Sequence, residues 1–127
     1  MIGIIPKEVV KINSEILQYS PGLKGSCDIG KLEGALSRVD NEILYTGLND
    51  IILIATKIII NIAQAHAFSD ANKRTGLMVG SLYLESNNIF LGNYEYISIG
   101  DALCDVVSHK ENENYLYNLI QKIAVSK

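Results

Sequence analysis

The sequence predicts an all-α fold, a single-domain bundle of about six helices with room for a short hairpin or flap. Three observations carry this. Apolar residues recur at spacings of three and four in several separate stretches, the signature of helices with one buried side. The most apolar stretch, from Ile51 to Ala65, runs to about 16 residues with the cap before it, too long for a typical strand. A chain of 127 residues, 48% hydrophobic and 20% charged, is globular and long enough for one core, so residues 1–127 read as one domain.

Taken in order, Pro6 suits the first turn of a helix, where its missing N–H costs nothing. Val9, Ile12, Ile16 and Tyr19 supply an apolar face, and Ser20-Pro21-Gly22 ends the helix. Residues 20–27 read as an ordered loop. Asp28 caps a second helix through Arg38, with Leu32, Ala35, Leu36 and Val39 as its apolar side. Residues 40–49, with Tyr45-Thr46-Gly47, suit a loop or small hairpin. Residues 50–66 form the strongest helix. Its polar positions Asp50, Lys57, Asn61 and Gln64 make one narrow stripe, so this helix belongs at the centre of the bundle.

After a break at 67–71, a second long helix runs from Asn72 to about Glu85, with Leu77, Met78, Ser81, Leu82 and Leu84 facing inward. Gly76 and Gly80, four apart, let another backbone approach closely. Asn87-Asn88 ends it, and residues 89–97 alternate as an extended segment does. Ser98 to Asp101 resembles a capping box opening a helix through about Ser108. Lys110-Glu111-Asn112 is a polar connector, and Leu116, Leu119, Ile120 and Ile123 mark a last helix.

The charge balance narrows the function. A net charge of −3 and a pI of about 5.3 argue against a partner held by phosphate neutralisation, so no direct nucleic-acid contact is expected. Cys27 and Cys104 stand far apart in no metal-ligand spacing, which suits reduced thiols in a cytoplasmic protein. Met1 to Pro6 has no basic leader and only a short apolar run, so neither a signal peptide nor a membrane partner is expected.

The break between the two long helices reads His66-Ala67-Phe68-Ser69-Asp70-Ala71-Asn72-Lys73-Arg74. A helix start presents unpaired N–H groups and the positive end of the helix dipole, a natural phosphate site. Lys73 and Arg74 in that first turn oppose the dipole, so helix stability does not ask for them. Together with the dipole they concentrate positive charge, and arginine is suited to bidentate phosphate recognition. Asp70 in isolation reads as an N-cap. Beside a phosphate it would repel unless a cation intervened, as Mg²⁺ does with one or two carboxylates plus phosphate oxygens. His66, at the end of the preceding helix, titrates in the range useful to a general base. Phe68 has no polar task and anchors the loop. The cluster thus points to Mg²⁺-dependent phosphate chemistry, whereas each residue alone has a plain structural role.

At these residues the chain resembles the Fic/Doc superfamily, whose signature is H-x-F-x-[DE]-[AG]-N-x-R. HAFSDANKR is closer to the Doc (death-on-curing) toxins, where the motif reads H-x-F-x-D-A-N-K-R. Gly22-Leu23-x-Gly25, Asp28-x-Gly30 and Arg38-Val39 look like the glycine-rich loop and second helix of Doc proteins. The resemblance implies a Mg-ATP-dependent protein kinase that transfers the γ-phosphate to a threonine of elongation factor Tu. By position, His66 is the base, Asp70 holds Mg²⁺, Asn72, Lys73 and Arg74 bind phosphates, and Phe68 is structural. It also implies a Phd-like antitoxin whose C-terminal segment folds on the toxin.

Two alternatives stay open, a Fic-type AMP transferase and an inactive Fic-fold binding module. Fic enzymes have glycine where Lys73 stands and arginine where Leu77 stands, and both departures look like Doc. A lysine side chain filling the anion pocket would account for reversed binding of ATP. Intact His66, Asp70 and Arg74 argue against a dead module. The self-inhibitory motif of many Fic proteins, [ST]-x-x-x-E-[GN], finds its nearest match at Ser81–Glu85, but Ser86 follows and the position is wrong.

Overall fold

Helix α3 (Ile51–Ala65) contributes to both buried apolar clusters of the described residues and so lies at their centre. The computed structural model describes residues 2–19, 25 and 27–126, those at 93–96 and 126 by backbone alone. Among them α1 (Pro6–Tyr19), α2 (Ile29–Thr46), α4 (Asn72–Ser86), α5 (Asn93–Val107) and α6 (Glu113–Ile123) complete an all-α bundle of six helices. Two strands of two residues each, β1 (Ile89–Phe90) and β2 (Val125–Ser126), pair antiparallel. No helix among the described residues is long and apolar enough to cross a membrane.

The isoleucines of α3 are explained by burial on two sides. Ala55, Ile59 and Ala63 pack with Leu77, Leu84, Leu103, Leu116 and Ile120. Ile54, Ile58 and Ile62 pack with Val9, Leu32, Leu36, Val39, Phe68 and Val79. Core burial outweighs the modest helix propensity of β-branched residues. Asp50 caps the helix, its Oδ1 accepting from the N–H groups of Ile52 and Leu53 at 3.1 and 3.2 Å.

Helix α4 lies directly against α3, and glycine sets how closely. A Cβ at Gly76 would stand 2.7 Å from the Ile59 carbonyl oxygen, and one at Gly80 would run into the Ile59 side chain. The α3–α4 contact also fixes the two ends of the break between them.

Several boundaries differ from the sequence expectation. Helix α2 does not stop at Arg38 and residues 40–46 form neither loop nor hairpin; the helix continues to Thr46. Ile43 packs on the core and Glu42 reaches Lys57 at 2.7 Å, so tertiary contacts carry the extra turns. Gly47, at φ 71°, ends the helix by donating to the Ile43 carbonyl at 3.0 Å. Only Ile89 and Phe90 of residues 89–97 form a strand. Helix α5 opens at Asn93 after Gly92, so Ser98 is an exposed interior position rather than a cap.

The face of α1 is also shifted. Val9, Asn13 and Leu17 are buried, while Tyr19 is exposed. In α4, Met78 and Leu82 face outward and Thr75, Val79 and Leu84 face inward. The expected stop at Ser20-Pro21-Gly22 lies outside the described residues.

Helix α6 is tied to the centre by polar contacts. Lys57 Nζ lies 2.7 Å from Glu42 and 2.9 Å from Glu113, joining α2, α3 and α6. The Tyr117 hydroxyl donates to Asp50 Oδ2.

Candidate active site

The break between α3 and α4 begins and ends in the left-handed region, at His66 (φ 50°, ψ 41°) and Ala71 (φ 63°, ψ 27°). Neither is glycine, and a left-handed conformation costs an ordinary residue roughly 1–2 kcal/mol. Such backbone persists only where the surroundings over-determine it.

The surroundings do so from several directions. Phe68 is buried with Val9, Leu32 and Ile62, which pins the middle of the break to the core. The Asn72 amide grips the Phe68 backbone at both ends. Its Oδ1 accepts from the Phe68 N–H at 3.1 Å and its Nδ2 donates to the Phe68 carbonyl at 3.0 Å. The Asp28 N–H donates to the Ala67 carbonyl at 2.8 Å, joining the start of α2 to the break. From α1, Asn13 Nδ2 donates to the Asp70 carbonyl and to Thr75 Oγ1, each at 3.0 Å. A Cβ at Gly25 would collide with the Ser69 side chain, so the chain at that point passes directly over the break.

Side chains with chemical potential face outward. His66 is exposed and, with Asp28, Ala67 and Ser69, lines a cleft of about 630 Å³. Lys73 and Arg74 are exposed in the first turn of α4. Helices α2, α3 and α6 receive side-chain caps from Asp28, Asp50 and Asn112, whereas the N-cap residues of α4 and α5, Ala71 and Gly92, supply none. The first amide to join its own ladder is Thr75, donating to Ala71 at 2.9 Å. The N–H groups ahead of it carry the positive end of the dipole toward Lys73 and Arg74.

Asp70 is not the N-cap that its position suggested; that place belongs to Ala71. Its Oδ1 instead accepts from the Ala71 N–H at 2.7 Å and lies 3.8 Å from Arg74 Nη2. The two side chains are 40% and 42% exposed, so their mutual attraction is weak. Asn72 stands on the break as expected, but its side chain is committed to the Phe68 backbone. Cys27 borders the same cleft, and burial, reinforced by Asp28, pushes its thiol above the ordinary range, away from nucleophilic chemistry.

The sequence reading missed the supports of the break. Asn13 and the Asp28 backbone are far from it in sequence. One signal for Asn13 was present: it stands four residues from both Val9 and Leu17, a polar residue on an apolar stripe. Of the glycine-rich segment, Gly22 and Leu23 lie outside the described residues.

The bundle thus brings a histidine, a carboxylate and two cations together on the short break that opens α4. Residues 4–84 match the Fic/DOC family, and the chain belongs to it. Over 89 residues it is 30% identical to the protein kinase doc of Escherichia phage P1, an alignment covering 70% of this chain and 71% of that protein.

Proposed function

We propose that this protein is the toxin of a toxin–antitoxin pair and a Mg-ATP-dependent protein kinase. Its substrate is a threonine hydroxyl of elongation factor Tu, so that its action inhibits translation. One observation carries the reading. The break presents His66 at the cleft while Lys73 and Arg74 flank an uncapped helix start, so base and anion site lie on one short segment. The similarity to a protein named as a kinase supports phosphoryl over nucleotidyl transfer.

The chemistry follows from these groups. A ring nitrogen of His66 accepts the proton of the attacking hydroxyl. The hydroxyl oxygen forms a bond to the γ-phosphorus, the bond from that phosphorus to the β–γ bridging oxygen breaks, and ADP leaves. Lys73, Arg74 and the first amides of α4 bind the phosphates, and most of the rate comes from positioning and charge neutralisation. Among the described residues no group of three or more metal-ligating side chains occurs. Mg²⁺ takes one or two carboxylates and fills its remaining positions with water and phosphate oxygens. Asp70, partly exposed beside the helix start, would hold it, and the bound ion would neutralise phosphate charge. A Phd-like antitoxin would silence the enzyme by folding its disordered C-terminal segment onto this chain.

The test incubates the protein and elongation factor Tu with ATP labelled at either the γ- or the α-phosphate. Label passing to the factor from the γ-position alone is expected. Transfer from the α-position would make the protein an AMP transferase, and no transfer would make it a binding module.

A further inference from the structure

We propose that Asn13, on the first helix, is a positioning residue for the phosphate site; this rests on reading the α3–α4 break as a phosphoryl-transfer site. Asn13 is only 7% exposed and occupies a buried stripe between Val9 and Leu17. An apolar residue there would complete the stripe, and a buried amide is tolerated only if its hydrogen bonds are made. Asn13 makes them across the seam between α1 and the break, with the Asp70 carbonyl and the Thr75 hydroxyl oxygen as acceptors.

Those acceptors bracket the working part of the site. Between them lie the left-handed Ala71 and the first turn of α4, with Asn72, Lys73 and Arg74. The peptide unit joining Asp70 to Ala71 is held at both ends. Asn13 takes its carbonyl oxygen, and the Asp70 carboxylate takes its N–H at 2.7 Å. The tilt of that unit sets where the Asp70 carboxylate points and where the helix amides begin. Asn13 thereby fixes the separation of the metal-holding oxygen from the phosphate-binding amides, without touching either ligand. In phosphoryl transfer, where catalysis is mostly placement, a small error in that separation costs rate.

Two variants test this, Asn13→Leu, which keeps the approximate shape and removes the donor, and Thr75→Val, which removes one acceptor at constant shape. Amide hydrogen exchange is measured on the free protein, and kcat, KM for the protein substrate and the Mg²⁺ concentration for half-maximal rate on the same samples. The expected result for Asn13→Leu is at least about tenfold faster exchange at residues 71–75, with α2 and α6 unchanged. With it come a kcat at least about tenfold lower, a higher Mg²⁺ requirement and an unchanged KM for the protein substrate. Thr75→Val shifts the same readouts less, and it decides the matter if Asn13→Leu does not fold. A folded variant with wild-type exchange at 71–75 overturns the proposal, as does faster exchange with unaltered kcat and Mg²⁺ requirement. If the wild-type chain transfers no phosphate, the functional reading fails instead, and the exchange measurement alone decides whether Asn13 holds the break.

Discussion

Two breaks between consecutive helices in this protein are built from similar residues and differ in what holds them. The α3–α4 break has His66 in the left-handed region, then Asp70, Asn72 and Lys73. The α5–α6 break has His109 in the same region (φ 64°), then Lys110, Glu111 and Asn112. The second is self-sufficient. Its amides return to the helix just ended, His109 to Val106 at 3.1 Å and Lys110 and Glu111 to Asp105 at 2.9 and 3.1 Å. Asn112 then caps α6 through the Tyr115 N–H at 3.2 Å. The first break is bonded from α1 and from the start of α2, buries Phe68, and leaves its new helix uncapped. The α5–α6 turn closes on itself, whereas the α3–α4 turn is secured by other helices of the fold, as the function proposed for it requires.

The sharpest way to break this contrast is to remove each histidine. His66→Ala should lower γ-phosphate transfer by roughly 10²–10⁴-fold with the circular dichroism spectrum unchanged, because a general base is lost from an exposed position. His109→Ala should leave transfer unaltered. Equal effects of the two would show that the histidines are not distinguished by their settings.

Next in size is the frame of the first break. Gly76→Ala places a Cβ against the Ile59 carbonyl and should destabilise the fold by about 1–3 kcal/mol, read as a lower melting temperature. A wild-type melting temperature would mean that α3 and α4 can separate without cost.

The two asparagines give a smaller and more pointed comparison. Asn112→Ala removes one cap and should cost about 1 kcal/mol with full transfer activity. Asn72→Ala removes both bonds to the Phe68 backbone and should impair transfer below the melting transition, with a raised Mg²⁺ requirement. Comparable activity in the two variants would remove the distinction.

The smallest effect comes with pH. Burial alone would lower the Lys57 pKa, but the carboxylates of Glu42 and Glu113 outweigh it and hold the ammonium above its ordinary value. The hydrogen bond to Asp50, helped by burial, likewise raises the Tyr117 phenol. Both groups bind their protons more tightly when folded. Their stabilisation is therefore complete below an unfolded-state pKa of about 10 and is lost as pH rises through the higher folded values. Both contacts tether α6, so hydrogen exchange at pH 10–11 should loosen α6 before the α3–α4 break. The reverse order would show that α6 does not rely on these contacts.

Periodicity and punctuation determined much of this protein from the sequence alone. The central α3, the break after it and the start of α4 were legible because their signals are contiguous: an apolar run interrupted by one polar stripe, then nine residues of concentrated chemistry. The candidate site residues were legible as a cluster for the same reason. The tertiary structure decided what depends on distant partners. Residues 40–46 are helical because Ile43 finds the core and Glu42 finds Lys57. Ile89 and Phe90 are extended because they pair with Val125 and Ser126. Asn72 turns its amide on Phe68 rather than outward, and Asn13 reaches Asp70 and Thr75 from another helix. Local pattern records which face of a helix is apolar. A hydrogen bond across 57 or 62 positions leaves no periodic trace, because it forms only once the helices have packed.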